Sequence, residues 1–278
     1  MWLIDTDTLE LKLHPSQPSS EYVILSHTWE EEEVTFQDFQ NLDVARTKKG
    51  FSKIEKTCRL ARKSKMKWAW VDTCCIDKTS SAELSEAINS MYRYYQNATV
   101  CYAYLSDLPA EDDAEVPLAQ CRWFTRGWTL QELLAPSNIE FYDHQWNLRG
   151  TKKSLKHPLS AITKIDVRVL MNTQLLEDYP VAVRMSWAAK RETTRPEDIA
   201  YCLLGIFGVY MPMLYGEGKN AFLRLQDEIC KGTDDLSIFA WKRHEITPFC
   251  SGLFARSPAE YSSCRGALFF HPRRNPKY

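Results

Sequence analysis

Short apolar runs that alternate with longer amphipathic stretches constrain the fold of this chain more than any other feature. Four runs have the length and the β-branched or aromatic content of buried strands, namely 22–25 (YVIL), 68–72 (WAWVD), 99–105 (TVCYAYL) and 139–142 (IEFY). Strands that alternate with helices form a parallel sheet with helices on both faces. Because ligands of such sheets bind beyond the carboxyl ends of the strands, we expect the functional site there.

The stretches between these runs predict helices. A helix is expected over 51–66, a second along the apolar stripe 84–95 with Ser80 or Ser81 as its cap, and a third within 120–134, from about Arg126 until Pro136 stops it.

Composition changes after about residue 145, where the alternation of strands and helices ends. Helices are predicted over 181–191, 196–208 and 217–231, a short strand over 237–241, and an irregular tail from 248. The sequence therefore predicts two parts, an α/β domain over 1–145 and a mostly helical C-terminal extension over 146–278. Trp187, Tyr201 and Trp241 suggest an aromatic contact between them.

Charge and cysteine content exclude several function classes. The net charge of −1 over 278 residues argues against a nucleic-acid partner, and the basic run 62–67 fits the end of a helix, where cations complement the dipole. The nine cysteines include no C-x-x-C pair, so we expect no metal site and a reduced compartment. No signal peptide and no apolar run of membrane-spanning length are found, so a cytoplasmic location without membrane association is predicted.

The Gly-Glu-Gly-Lys segment at 216–219 does not complete a phosphate-binding loop. Met213 stands where that motif has its first glycine, and Asn220 replaces the required Ser or Thr. The sequence also lacks the G-x-S-x-G and H-E-x-x-H patterns of hydrolases and zinc proteases. Common nucleotide-binding and hydrolytic motifs therefore do not define this chain.

Four longer stretches, in order and spacing, resemble the fungal HET (heterokaryon incompatibility) family. They are YVILSHTW at 22–29, WVDTCCID at 70–77, ELSEAINSMYRYY at 83–95 and CRWFTRGWTLQELLAP at 121–136. The region 184–229 resembles the segment that commonly follows the domain in ascomycete members, and the likeness covers about 22–241. The resemblance implies an intracellular cell-death effector that self-associates. It also implies an upstream sensor, or a fused nucleotide-binding or repeat module, as partner.

HET domains in turn resemble TIR domains, which implies a TIR-like, flavodoxin-like parallel sheet flanked by helices. A TIR domain has a serine after its first strand, as in Ile24–His27, and acidic residues after its second, as at Asp72 and Asp77. Its later helix carries W-x-x-x-E, which Trp128 and Glu132 match. In enzymatic TIR domains this glutamate cleaves NAD, so the resemblance implies that Glu132 is catalytic.

The same resemblance implies a set of residues that bind NAD or NADP as substrate, with no cofactor and no metal. The set is Ser26, His27, Trp29, Asp72, Cys75, Asp77, Arg126, Gly127 and Trp128. Arg126, the amides near Gly127 and Ser26 are candidate donors to the diphosphate, and either Trp29 or Trp128 is a candidate to stack on a base or on nicotinamide.

Other interpretations remain open for several of these residues and for the function. Glu132 lies among leucines and is also compatible with the solvated face of an amphipathic helix. Arg126 is equally suited to bind Asp72 or Asp77 and brace the loop, and Cys74 and Cys75 to being small buried residues. The alternatives to an NAD hydrolase are a non-enzymatic signalling module that assembles, or a nucleotide-binding regulator without turnover.

Overall fold

The computed structural model describes residues 1–14, 21–110, 118–243 and 252–264. Its strands are β1 (Trp2–Asp5), β2 (Leu11–Leu13), β3 (Tyr22–His27), β4 (Trp68–Trp70), β5 (Val100–Tyr104), β6 (Ile139–Tyr142) and β7 (Leu148–Thr151). They form one seven-stranded sheet in the order β2-β1-β4-β3-β5-β6-β7. The fold is therefore α/β, with helices flanking a single sheet.

The four predicted strands form the parallel centre of this sheet, whereas its edges are antiparallel. Strands β4, β3, β5 and β6 run parallel to one another, and β1, β2 and β7 pair antiparallel. The predicted parallel sheet is therefore confirmed for its four strands, but the sheet as a whole is mixed. Neither outermost strand, β2 or β7, has a fully buried residue, so both lack the continuous apolar runs that mark the buried centre.

The helices are α1 (Phe36–Phe39), α2 (Leu42–Thr47), α3 (Phe51–Lys63), α4 (Ser81–Asn97), α5 (Thr129–Leu134), α6 (Lys156–Thr163), α7 (Val167–Leu170), α8 (Val181–Trp187), α9 (Asp198–Tyr201), α10 (Leu204–Phe207) and α11 (Asn220–Gly232). Ser80 caps α4 as predicted, because its side chain accepts a hydrogen bond from the Glu83 amide.

The order of the central strands creates a crevice beside β3. From β3 the chain passes through α3 to β4 on one side, whereas from β5 it passes through α5 to β6 on the other side. Connections that leave in opposite directions open a gap at the carboxyl ends of the two neighbouring strands, here β3 and β5. Ser26 and His27 end β3 at this gap, in register with Ala103 and Tyr104 of β5.

The helix predicted within 120–134 is interrupted, because part of that segment pairs with the extension. A 3-10 helix spans Arg122–Thr125, and α5 begins only at Thr129. Between them the Gly127 amide donates to the Glu192 carbonyl at 2.9 Å, and the Glu192 amide donates to the Thr125 carbonyl at 2.7 Å. These long-range bonds replace the local bonds that a continuous helix would have made.

Two further expectations about the extension differ from the structure. The predicted strand at 237–241 is a 3-10 helix, Leu236–Phe239, whose first turn is capped by the side chain of Asp235. The helix predicted over 196–208 is divided into α9 and α10, and it begins after Pro196 rather than at it. A short polar cap such as Asp235 competes with regular structure and is a weak signal in a sequence.

Hydrogen bonds join the extension to the core, and the closest ring partners of the predicted aromatic residues lie within the extension. Trp187 packs on Tyr179, and Tyr201 on Tyr215, so these ring pairs lie within the extension. Trp241 likewise donates to the Leu253 carbonyl. The core is reached by hydrogen bonds such as those between Asn89 of α4 and the backbone of Met211, at 3.1 and 3.2 Å.

A buried lysine closes the carboxyl end of α5. Lys152, directly after β7, is 1% exposed, and its Nζ donates to the carbonyls of Pro136 at 2.7 Å and Leu134 at 3.3 Å. Burial lowers the pKa of Lys152 to about 7. The amine thus satisfies carbonyls that the end of the helix leaves without intrahelical partners.

Lys152→Met is expected to weaken the rise of stability with pH. The folded-state pKa lies below that of the unfolded chain, so this group's contribution is full only above about pH 10 and is lost as the pH falls to about 7. Between these two pH values, the contribution of Lys152 to the free energy of unfolding rises by about 1.4 kcal/mol per pH unit. Urea unfolding at pH 7 and 9 measures the slope, with Lys153→Met, on the exposed neighbour, as control. Equal slopes for both variants would contradict the assignment.

Candidate functional site

Helix α5 places Glu132 against the end of β3. Glu132 is 7% exposed and Ser26 is fully buried. The Ser26 hydroxyl donates to Glu132 Oε2 and accepts a hydrogen bond from Trp123 Nε1 at 2.7 Å. The solvated interpretation of Glu132 was therefore wrong, and its carboxyl group is held beside the crevice by a two-step chain of hydrogen bonds.

The surroundings of Glu132 favour its protonated form. Burial, assisted by the negative charge of Asp72, raises the pKa of Glu132 to about 8. Hydrogen bonds from Ser26 and Tyr95 and the charge of Arg191 act in the opposite direction and only partly offset burial. A carboxyl group with so large a shift beside a crevice is a candidate for chemistry rather than for stability.

A second cluster forms around Asp72, at the end of β4. Its carboxylate binds His27 Nε2 at 3.1 Å and accepts a hydrogen bond from Trp29 Nε1 at 2.8 Å. Burial opposes ionisation, but the bond and charge of His27, the charge of Lys78 and the bond from Trp29 outweigh it and lower the pKa of Asp72 to about 2. Asp72 is therefore ionised at neutral pH and anchors the ends of β3 and β4 to each other.

Trp29 presents an indole ring to solvent at the same edge. Its side chain is held by Asp72, yet the residue is 49% exposed, and Lys78 Nζ lies 4.5 Å from the ring centroid. A large aromatic ring that is both exposed and fixed in orientation is suited to stack on a planar ligand.

Unsatisfied buried polar atoms are concentrated near this edge. His27 Nδ1, Thr73 Oγ1 and Gln131 Nε2 are buried without a hydrogen-bond partner, and they belong to the ends of β3 and β4 and to the neighbour of Glu132. Because buried polar groups are nearly always paired, such a concentration is more typical of a functional site than of a structural core.

The segment 126–128 faces the extension rather than the loop after β4. Arg126 donates to the Thr194 hydroxyl at 3.0 Å, so the bracing bond to Asp72 or Asp77 is absent. A Cβ on Gly127 would lie 2.5 Å from Thr193 Cγ2, so glycine here permits a close approach of the two segments. Trp128 is half-buried and hydrogen-bonds to Asp198.

Asp77 and the adjacent cysteines shape the loop after β4. Asp77 accepts hydrogen bonds from the Thr79 hydroxyl and amide and from Gln37 Nε2, and these bonds lower the pKa of Asp77. Cys75 is buried, with its Sγ 3.4 Å from the Val71 amide that donates to it. Burial raises the pKa of Cys74 well above its usual value. Both cysteines are thus small buried residues, and all eight in the described ranges are free thiols.

Three residues around Glu132 were not among the sequence candidates. Trp123 lies within the W-F-T-R segment but resembles a core aromatic, and Tyr95 belongs to the apolar stripe of α4, where its hydroxyl donates to the Leu25 carbonyl. Arg191 lies about 60 residues beyond α5 in the extension. No spacing in the sequence links these three to Glu132, so only the tertiary structure reveals them.

Trp123→Phe is expected to destabilise the fold by about 1–2 kcal/mol, because it removes a buried hydrogen bond while keeping most of the ring. The Ser26 hydroxyl would still bond to Glu132 but would no longer accept a hydrogen bond from residue 123. Urea unfolding measures the loss, with Trp146→Phe as control, because that ring stacks on Tyr104 away from α5. A loss no larger than in the control would show that the bond from Trp123 is unimportant.

Two other kinds of feature were sought in the described ranges. They contain no group of three or more His, Cys, Asp or Glu side chains arranged to hold a metal ion. None of the helices found there has the length and apolar composition needed to cross a membrane.

The fold and the site define an α/β domain with a buried carboxyl group at its switch-point crevice. The model of the heterokaryon incompatibility protein (HET) family matches residues 22–117. Over 231 residues the chain is 45% identical to vegetative incompatibility protein HET-E-1 of Podospora anserina, an alignment that covers 80% of this chain. The chain therefore contains a domain of the HET family.

The chain spans only 17% of the length of this relative. No solved structure matches. The family model ends at residue 117, before α5, so Glu132 lies outside the residues that it matches.

Proposed function

We propose that this chain is a cell-death effector of vegetative incompatibility that cleaves the nicotinamide–ribose bond of NAD with Glu132. The observation that carries the proposal is a buried, hydrogen-bonded carboxyl group, with a raised pKa, at the carboxyl end of the central strand. Membership of the HET family and the likeness to a vegetative incompatibility protein support the biological role.

A TIR-like core is part of this proposal, and the strand order supports it. Numbered along the chain, the parallel strands β3, β4, β5 and β6 lie in the order 2-1-3-4. Flavodoxin-like sheets have this order and bind ligands where it reverses. Ser26 and His27 stand at that point, and Glu132 contacts Ser26 there.

One glutamate is chemically sufficient for this cleavage. Nicotinamide leaves as a neutral molecule and needs no proton, while positive charge develops on the ribose. Water then adds to the ribose carbon and loses a proton to give ADP-ribose, or an adenine nitrogen adds to give the cyclic form. A preorganised carboxylate beside the ribose stabilises that charge, and a buried site makes the interaction stronger than in water. The cationic nicotinamide ring of bound NAD favours ionisation of Glu132, so binding itself promotes loss of the Glu132 proton.

The remaining site residues divide between substrate contact and support. Trp29 offers the exposed ring for stacking, and Arg126 is the candidate for the diphosphate. Ser26 and Gly127 are engaged by Glu132 and by the extension, respectively, so we assign them to positioning.

Incubation of the purified chain with NAD, and separately with NADP, tests the proposal. The chain is assayed alone and after forced clustering through a fused oligomerisation tag, and chromatography follows nicotinamide, ADP-ribose and its cyclic form. Release of nicotinamide that increases on clustering is expected. If a folded and clustered chain leaves both dinucleotides intact, the hydrolase proposal fails and a non-enzymatic assembly module takes its place.

A further inference from the structure

A buried arginine of the extension is joined to the helix that carries Glu132. Arg191 is 7% exposed, and its Nη1 donates to the Arg126 carbonyl at 2.6 Å and to Thr129 Oγ1 at 2.8 Å. Thr129 is the first residue of α5, three positions before Glu132. The guanidinium therefore holds the first turn of this short helix from outside the core.

Two hydrogen-bonded links, joined through the residue Trp123, connect Arg191 with the carboxyl group of Glu132. The Thr129 hydroxyl, which accepts from Arg191, donates to the Trp123 carbonyl. The Trp123 indole donates to Ser26, and Ser26 donates to Glu132. Each member of this chain is at least nine-tenths buried, so water cannot readily replace its bonds.

The backbone on either side of Arg191 strengthens this connection. Glu192 exchanges backbone hydrogen bonds with Thr125 and Gly127, just before α5. Burial lowers the pKa of Arg191 to about 10, so the guanidinium is still charged at neutral pH. A positive charge held in this place favours the anionic form of Glu132.

We propose that Arg191 is a positioning residue that fixes the orientation of Glu132 and favours its carboxylate, so that the extension completes the site. Only the expected effect of Arg191 on catalysis rests on the proposed function. Its expected effect on the ionisation of Glu132 does not. A misplacement of about 1 Å can cost roughly 10²-fold in rate, which gives a remote positioning residue a large effect.

Arg191→Gln and Arg191→Lys separate charge from geometry. The ionisation midpoint of Glu132, followed by NMR of its labelled side-chain carboxyl, is expected to rise by about half a pH unit or more in Arg191→Gln and to change little in Arg191→Lys. In the NAD assay, kcat is expected to fall about tenfold or more in Arg191→Gln, with KM changed far less.

Arg184→Gln is the matched control. Arg184 is equally buried in the extension but donates to the Ile206 carbonyl, and its guanidinium has no bond toward α5. Its loss is expected to leave the Glu132 midpoint unchanged. A folded Arg191→Gln with the wild-type midpoint, or an Arg184→Gln that raises the midpoint equally, would overturn the inference.

Thr129 provides a second test that leaves Arg191 in place. Thr129→Val removes the acceptor of the Arg191 bond, whereas Thr129→Ser retains it. A raised Glu132 midpoint in Thr129→Val alone supports the inference, and equal midpoints in the two variants contradict it. If the midpoints move as expected but no variant or wild type consumes NAD, the positioning role holds and the proposed hydrolase function fails.

Discussion

Glu132→Gln is expected to reduce NAD cleavage by about 10²-fold or more while making the folded chain more stable above neutral pH. Glutamine keeps the size of the protonated side chain but cannot supply the negative charge that stabilises the ribose cation. Opposite changes in activity and stability are characteristic of a residue held in an unfavourable environment for its function.

The change in stability follows from the raised pKa of Glu132. In the unfolded chain this carboxyl group ionises near its ordinary value, about 4.5, whereas the folded-state pKa is about 8 because of burial. The stabilisation from the protonated group is therefore complete below about pH 4.5 and is lost as the pH rises to about 8. Between these pH values the free energy of unfolding of the wild type falls by about 1.4 kcal/mol per pH unit because of Glu132. Glu132→Gln has no ionisable group here and escapes this loss.

Urea unfolding of wild type and Glu132→Gln at pH 5, 6.5 and 8 measures this difference. The free energy of unfolding of Glu132→Gln should rise relative to wild type at each step. Glu140→Gln is the control, because Glu140 accepts a hydrogen bond from Tyr142 on β6, away from the crevice. If Glu132→Gln is less stable than wild type at pH 8, Glu132 is a structural residue and its proposed role is wrong.

Removal of the extension is expected to leave an insoluble or unfolded core. A chain ending at Thr151 keeps all seven strands but loses Lys152, which binds the carbonyls at the end of α5, and Glu192, which pairs with the segment before it. Removal of the extension also exposes the face of α4 at Tyr92, because Gly205 of the extension packs closely against this side chain. Both ends of α5 and part of the core surface would thus lose their partners.

Soluble yield and the cooperativity of urea unfolding measure the effect of this truncation. Co-expression with a second chain that begins at Lys152 is the matched control and should restore solubility, because the lost contacts are all noncovalent. A soluble truncated chain that unfolds cooperatively and retains the raised Glu132 pKa would show that the extension is dispensable for the site.

The centre of the fold is predictable because local pattern and tertiary environment agree there. The residues of β3 are all buried, so the strand is a continuous apolar run ending in Ser26 and His27, and the predicted bounds of β6 match the structure. Helices α3 and α4 have one apolar face each, and Ser80 has the side chain that a cap requires. These features depend on neighbours that are close in sequence or on burial alone.

The site was only partly predictable because its decisive contacts are distant in sequence. All six residues of α5 are buried, so helical periodicity cannot indicate which of them points toward β3, and Glu132 is equally compatible with a solvated face. The break before α5 depends on Glu192, about 65 residues away, whose backbone bonds outcompete a continuous helix.

The local pattern of the sequence is enough to identify the HET domain, to locate the segments that form the parallel strands, and to single out Ser26, Asp72 and Glu132 as candidates beside strand and helix ends. The packed structure is needed to show that Ser26 holds Glu132, that burial raises the pKa of Glu132, and that Arg191 is bonded to the first turn of α5. Strand and helix formation follows from local periodicity, whereas burial and long-range hydrogen bonds exist only after the chain has packed.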